Sequence, residues 1–515
     1  MRFSFLRPAL LLLSLACSLQ AAPGRRVVLI VWDGMRPDFI TPQTTPTLWA
    51  LAQHGVFFQN QHSAFVTSTE VNGTTFGSGA YPRNSGIMAN KEFRPAINAH
   101  APVAMEAPKN IRRGDAVTGG HYVAVPTAAE ILRAQPSPFR TVVAGSKPVA
   151  WLLDRGIRTD PSSPIVAEGQ TQPEALQAQL TAKFGPFPPI HQTKIDRDRW
   201  TTTVLLEQFW HDDVPPYSVL WLAEPDWTQH ETGPGSPTTL QAIRSSDDNL
   251  KRVLTALDQK GLLADTDVIV ASDHGVSTIE RKVDLAADLA KAGLSTARTL
   301  PDQPANGTVL VVGNGGSANL YVIGHDAAVI DRAIDFLEQQ NYTAVLFTKD
   351  GRNGTFPLSL AKVDSKNAPD IVVTLRWSDA RSPNGTPGML ISEAGAGRGP
   401  GQGMHASLSR FDEHNTLVAS GPDFRRGIRD PLPTGTIDVA PTILWLLGVP
   451  AAPTMNGRVL TEALTIPGPK LESFDTTRHE ASRDVDGHHW AQYLVVSQVN
   501  GVSYFDEGNS ETPVQ

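Results

Sequence analysis

The chain has 515 residues, 40% of them hydrophobic, which excludes wholesale disorder; at about 100–200 residues per domain it holds either one large α/β domain with insertions or several domains. Lysine and arginine total 44 against 52 acidic residues, a net charge of −8, and no long basic run is present, so duplex nucleic acid and anionic membranes are poor partners. A small phosphorylated substrate held by local dipoles or metal stays open.

The chain begins with Arg2 and Arg7, then an apolar run from Pro8 to Ala22 closed by the small residues Ala21 and Ala22. A basic start and an apolar stretch shorter than the roughly 20 residues of a spanning helix read as a secretory signal peptide over residues 1–22. The mature chain is then expected to be periplasmic or secreted, without a transmembrane segment. It is also expected to be free of disulfides, because the single cysteine, Cys17, lies inside the leader. A lipid anchor on Cys17 is the minor alternative, since Ser-Leu-Ala-Cys carries serine where a lipobox usually has leucine. The Asn-X-Ser/Thr triplets at Asn72, Asn306, Asn341, Asn353 and Asn384 read as chance.

Beyond the leader, short apolar runs alternate with polar loops and helical segments. Val27–Val31, Thr141–Ala144, Ser218–Ala223, Asp267–Ala271 and Asn415–Ser420 lack alternation, which predicts strands buried on both faces of a largely parallel sheet. Thr45 and Pro46 predict a helix start, with Gly55 just past its end; leucines and Ile243 at three-four spacing predict another helix over 240–259, and a third follows Asp438 and stops at Gly448. The pattern is a doubly wound α/β architecture, whose ligands gather at the carboxyl ends of the strands. The stretches 91–125 and about 280–399 break it, the second being long enough for an inserted cap subdomain. After about Pro467 the helical period is lost, and Tyr493–Tyr504 reads as one or two strands.

The chemistry-bearing residues follow the strands. The first strand ends at Asp33, beside Gly34, a place for a metal ligand or acid-base group as well as for an ordinary turn. In EPDWTQH, Asp226 and His230 stand four apart, so one helical turn points both to one side, a spacing suited to a shared divalent metal. In SDHG, Asp273 and His274 end another strand. His405 follows a glycine-rich stretch, and His414 competes with it as the ligand from that segment. Thr69 lies in the hydroxyl-rich FVTSTEVNG, where a hydroxyl at a helix N-terminus either caps the helix or meets the dipole end that favours bound phosphate.

The order of these motifs resembles the alkaline phosphatase superfamily, in particular its nucleotide pyrophosphatase/phosphodiesterase branch, over about Arg25 to Leu464. The resemblance implies an alkaline-phosphatase-like catalytic domain over residues 25–465, with the insertion at about 280–399, and a C-terminal tail over 466–515. It implies Thr69 as the nucleophile and Asn90 as donor to a phosphoryl oxygen. It further implies two Zn²⁺ per chain, one held by Asp226, His230 and His405, the other by Asp33, Asp273 and His274 with Thr69. The family's FPNH after the nucleophile is EVNG here, which removes an aromatic contribution to a nucleotide-base slot and places Glu70 near the site.

The function expected is a secreted two-zinc phosphodiesterase or pyrophosphatase working through a covalent threonine intermediate on a small, nucleotide-like substrate. A phosphomonoesterase or phosphonoacetate-type hydrolase shares the ligand set, and an extra basic residue at the distal phosphate would favour the monoester. A non-catalytic metal-dependent binding module is the alternative of another class. A sulfatase is disfavoured, because TSTEVNG holds nothing similar to a CxPxR-type motif.

Overall fold

The buried apolar runs all enter one nine-stranded sheet. Its order in space is Ile428–Gly435, Val56–His62, Leu417–Ser420, Thr266–Ala271, Arg26–Trp32, Tyr217–Leu222, Thr141–Gly145, Ile165–Ala167 and Gln170–Gln172. The structure, a computed structural model, describes residues 24–155, 162–191, 193–466 and 474–511; the leader reading, with Cys17, lies outside the described residues. Along Arg26–Trp32, Val27, Leu29 and Val31 join one apolar core while Val28, Ile30 and Trp32 join another on the opposite face. Burial on both faces is why the sequence shows a continuous apolar run rather than alternation.

Four adjacent strands, Thr266–Ala271, Arg26–Trp32, Tyr217–Leu222 and Thr141–Gly145, are parallel. Their carboxyl ends therefore form one continuous edge, and the residues just beyond them become neighbours. Leu417–Ser420, which the apolar pattern groups with these strands, runs antiparallel to both of its neighbours, and its first residue pairs with Ala271. Its amino end, preceded by His414, thus meets the same edge.

Helices cover both faces. Pro46–His54 matches its sequence signals, and the helix read over 240–259 starts earlier, at Pro237, where Ser236 Oγ accepts from the Thr239 amide at 3.1 Å. Ile243, Leu250, Val253 and Leu257 face the core, and Val439–Leu446 is buried almost throughout. Among the described residues no helix is long and apolar enough to cross a membrane.

Residues 277–404 build two further sheets. One has four strands, with Ser277–Val283 between Pro387–Glu393 and Gly403–Met404. The other has six, centred on Ser317–Val322 and Ile371–Leu375 and packed against the helix Ala327–Glu338. The tail, read as one or two strands, is a three-stranded antiparallel sheet of Phe474–Val485, His488–Val499 and Val502–Ser510. The first of these strands is mostly polar, so composition alone gave no sign of it. The tail sheet is tied to the body by the Tyr504 hydroxyl on Asp438 Oδ2 at 2.8 Å and by Trp377 Nε1 on the Gly508 carbonyl at 2.8 Å.

Candidate active site and metal-binding groups

At the carboxyl edge of the parallel strands, two groups of side chains converge. Asp226, His230 and His405 form one, and Asp33, Asp273 and His274 the other, each offering ligand atoms within 4.8 Å of one another. Asp33 directly follows the first strand, and Asp273 comes two residues after its neighbour. Asp226 opens the short helix Asp226–Thr232, and one turn later His230 returns its Nε2 to 3.2 Å from Asp226 Oδ1. His405 stacks on His274 with ring centroids 3.7 Å apart, and its Nε2 lies 3.9 Å from Asp226 Oδ1. His414 joins neither group.

The three imidazoles are wired alike. Nδ1 of His230 faces the Gly403 carbonyl at 2.8 Å, that of His274 the Gly275 carbonyl at 2.9 Å, and that of His405 the Thr67 carbonyl at 2.8 Å. A carbonyl only accepts, so each Nδ1 carries a proton and each ring turns its Nε2 inward, a lone pair whenever the ring is neutral. Opposite them, Asp33 Oδ1, Asp226 Oδ1 and Asp273 Oδ2 are buried without a hydrogen-bond donor. Buried acceptors facing lone pairs are costly unless positive charge lies between them. Carboxylate oxygens with neutral imidazoles held by backbone carbonyls form a donor set that fits divalent ions of the zinc type.

The charges respond to this crowding. Burial, with Asp273 close by, raises the Asp33 carboxyl well above its ordinary value despite Lys147, and burial raises Asp273 as well. Asp226 goes the other way: against the upward push of burial, the charges of His230, when its ring is protonated, and of Lys147 hold it well below. Burial, reinforced by His274, keeps His405 well below its ordinary value.

Thr69 is the first residue of the helix Thr69–Ser78, with Ser68 as N-cap. Its hydroxyl lies 3.1 Å from His274 Nε2 and is 3% exposed as a residue, so it stands at a dipole end inside the site. Asn90 Oδ1 accepts from the Glu70 amide at 3.1 Å. A backbone amide only donates, so the facing atom is oxygen and the Asn90 amide nitrogen is left for another acceptor. Glu70 is buried at 5% exposure, and burial, with Glu106 nearby, raises its carboxyl well above the ordinary range.

The sequence reading missed Lys147. It lies just beyond Thr141–Gly145, the fourth parallel strand, and Nζ reaches Asp33 Oδ2 at 2.8 Å, Asp226 Oδ2 at 3.0 Å and Thr69 Oγ1 at 3.5 Å. The signal was the same strand-end position that drew attention to Asp33. Asp198 was missed too, and it accepts from the amides of Ala223 at 2.8 Å and Glu224 at 3.1 Å. Glu224 in turn accepts from the Lys194 amide at 2.6 Å and the Thr228 hydroxyl at 2.8 Å, and burial beside Asp198 pushes it up to about 8. These two carboxyls fix the loop that presents Asp226.

Gly34 marks where the two groups touch. Its φ is +71°, and a Cβ there would fall 2.9 Å from Asp226 Cβ. Gly34→Ala is expected to cost about 1–2 kcal/mol in backbone strain and, by pushing Asp226 from Asp33, to lower turnover by about 10²-fold. Thermal melting and steady-state kinetics of the variant check this.

Comparison with known proteins gives a consistent result. The model of the type I phosphodiesterase / nucleotide pyrophosphatase family matches residues 27–380. Ectonucleotide pyrophosphatase/phosphodiesterase family member 7 of Mus musculus is 24% identical over 267 residues, 51% of this chain and 52% of the relative. Bis(5'-adenosyl)-triphosphatase enpp4 of Mus musculus is 21% identical over 448 residues, 86% of this chain and 81% of the relative. The match thus spans about half the length of the family member 7 relative. Murine ectonucleotide pyrophosphatase / phosphodiesterase 5 superposes with a TM-score of 0.60 at 19% identity, covering 86% of this chain and 100% of that one, which shows the fold.

Proposed function

Since the chain belongs to the type I phosphodiesterase / nucleotide pyrophosphatase family, we propose that it hydrolyses phosphodiester or pyrophosphate bonds of a small, nucleotide-like substrate through a covalent intermediate on Thr69. The observation that carries this reading is the Thr69 hydroxyl, buried at a helix N-terminus, 3.1 Å from His274 Nε2 of one carboxylate–imidazole group and joined through Lys147 to Asp226 of the other. Asp226, His230 and His405 would hold one Zn²⁺, and Asp33, Asp273 and His274, with Thr69, would hold the other. Bound zinc supplies Lewis-acid charge that favours ionised oxygen and offsets charge on the phosphoryl group.

The chain's own residues do the rest. Thr69 Oγ1, having lost its proton, forms a bond to phosphorus as the bond to the leaving oxygen breaks, and the departing oxygen takes up a proton. Water then displaces Thr69 from phosphorus, and the threonine oxygen regains its proton. The Asn90 amide nitrogen and the Thr69 backbone amide donate to the equatorial oxygens. Export of the mature chain belongs to the same proposal and rests on the basic and apolar character of residues 1–22.

A second reading, hydrolysis of monoesters on the same site, is favoured by Lys147, a cation 3.5 Å from the Thr69 hydroxyl that suits a more highly charged phosphate. Bis(p-nitrophenyl) phosphate and p-nitrophenyl phosphate, offered to the purified mature chain before and after chelation and with zinc restored, separate the two. A zinc-restored preference for the diester is expected, and a preference for the monoester moves the protein to the phosphatase side. Activity on neither substrate turns the reading towards phosphonate hydrolysis or a binding module. Lys147→Met is expected to lower kcat/KM for the monoester about tenfold more than for the diester, the size of one charge-assisted hydrogen bond.

A further inference from the structure

His414 belongs to a separate cluster farther along the same sheet edge. His62 ends the strand Val56–His62 and forms an antiparallel β-bridge with His414, which sets the two side chains side by side with ring centroids 4.5 Å apart. Asp506, from the last strand of the tail sheet, completes a group whose ligand atoms lie within 4.8 Å of one another.

His62 repeats the wiring of His230, His274 and His405. Its Nδ1 faces the Thr434 carbonyl at 2.8 Å and therefore carries a proton, and its Nε2 lies 3.1 Å from Asp506 Oδ1. In a neutral ring that contact would set a lone pair against a carboxylate oxygen, an arrangement that either a bound cation or a second ring proton relieves. The spacing is that of the site around Thr69, where the corresponding contacts are 3.2 Å in His230–Asp226 and 3.3 Å in His274–Asp273. Ligands held about 2.0–2.1 Å from a tetrahedral zinc sit about 3.3 Å apart. The other Asp506 oxygen accepts from Ser497 Oγ at 2.7 Å, which orients the carboxylate. A second ring proton on His62 would also supply the charge, but it engages two groups and leaves the adjoining His414 imidazole without a role.

We propose that His62, His414 and Asp506 form a third divalent-cation site of the zinc type, which fastens the C-terminal sheet to the end of the central sheet. The two imidazoles come from the central sheet and the loop leading into it, the carboxylate from the tail, so the ion closes a loop of more than 400 residues between His62 and Asp506. Its role is structural, because Thr69 and both groups around it are complete without these residues.

Metal content of the purified mature chain, measured by mass spectrometry after dialysis against zinc, tests this independently of the hydrolytic reading. His414→Gln and Asp506→Asn are each expected to lose one ion per chain relative to wild type, to keep turnover within about threefold, and to melt at a lower temperature. An Asp226→Asn/Asp273→Asn chain leaves this cluster untouched and is expected to keep one ion, which a further His414→Gln removes. Retention of no ion by that double variant would overturn the proposal and leave His62 and Asp506 as a protonated ion pair. Retention of the full wild-type count would instead count against the ligands assigned around Thr69.

Discussion

Thr69→Ala is expected to lower kcat for bis(p-nitrophenyl) phosphate by about 10³-fold or more while leaving the metal content of the chain unchanged. The two groups of carboxylates and imidazoles close on themselves within 4.8 Å without the threonine, so removing its hydroxyl deletes the attacking atom and little of the ion-holding set. The substitution stays within a helix whose residues are all buried, and alanine is a better helix former than threonine. Kinetics and metal analysis on the same preparation check both halves. Should activity persist, Ser68 is the next residue to test, because its buried hydroxyl has no hydrogen-bond partner among the described residues, whereas Thr67 Oγ1 already donates to the Ser407 carbonyl at 2.9 Å.

Asp273→Asn separates ion holding from folding. Asp273 Oδ1 accepts from the amides of Gly34 and His274, both at 3.0 Å, and asparagine keeps that oxygen. The other oxygen, 3.3 Å from His274 Nε2 and without a donor, becomes an amide nitrogen that cannot ligate. Loss of one ion and about 10³-fold of activity is expected. Stability of the metal-free chain should move the opposite way. Asp33 and Asp273 are both raised by burial, so their contribution is complete below the ordinary aspartate value of about 3.9 and is lost as the pH rises through their folded-state values. Asp273→Asn removes one of these carboxylates and is expected to flatten the fall in melting temperature of the chelated protein above that pH. Chelated melting curves at several pH values read this directly; an equal slope in wild type and variant would contradict the role given to burial.

Much of the architecture was legible because the strands are buried on both faces, which leaves apolar runs that need no partner to be recognised. The acidic endings were legible for the same reason: Asp33 and Asp273 stand at or just past the ends of runs made largely of apolar residues. Strand direction was not, since Leu417–Ser420 looks like its parallel neighbours in composition and differs only in pairing. The tail was under-read because Phe474–Val485 is a mostly polar strand, and its partners lie across a turn rather than in its own pattern. Lys147 was less legible, because a lone lysine just past a strand end reads as a solvated charge until the fold brings its Nζ to Asp33 and Asp226. The contest between His405 and His414 had no answer in spacing alone. A glycine-rich approach leads His405 to Asp226, whereas a β-bridge with His62 takes His414 to the tail.

The account rests on a covalent bond between phosphorus and Thr69, and mass spectrometry of acid-quenched enzyme tests it most directly. Wild-type chain mixed with excess bis(p-nitrophenyl) phosphate and quenched within the first turnovers should carry a nitrophenyl-phosphoryl adduct, mapped by peptide fragmentation to Thr69 and absent from Thr69→Ala. Turnover with no adduct at any quench time, together with an Asp273→Asn chain that keeps both ions and its activity, would contradict the account.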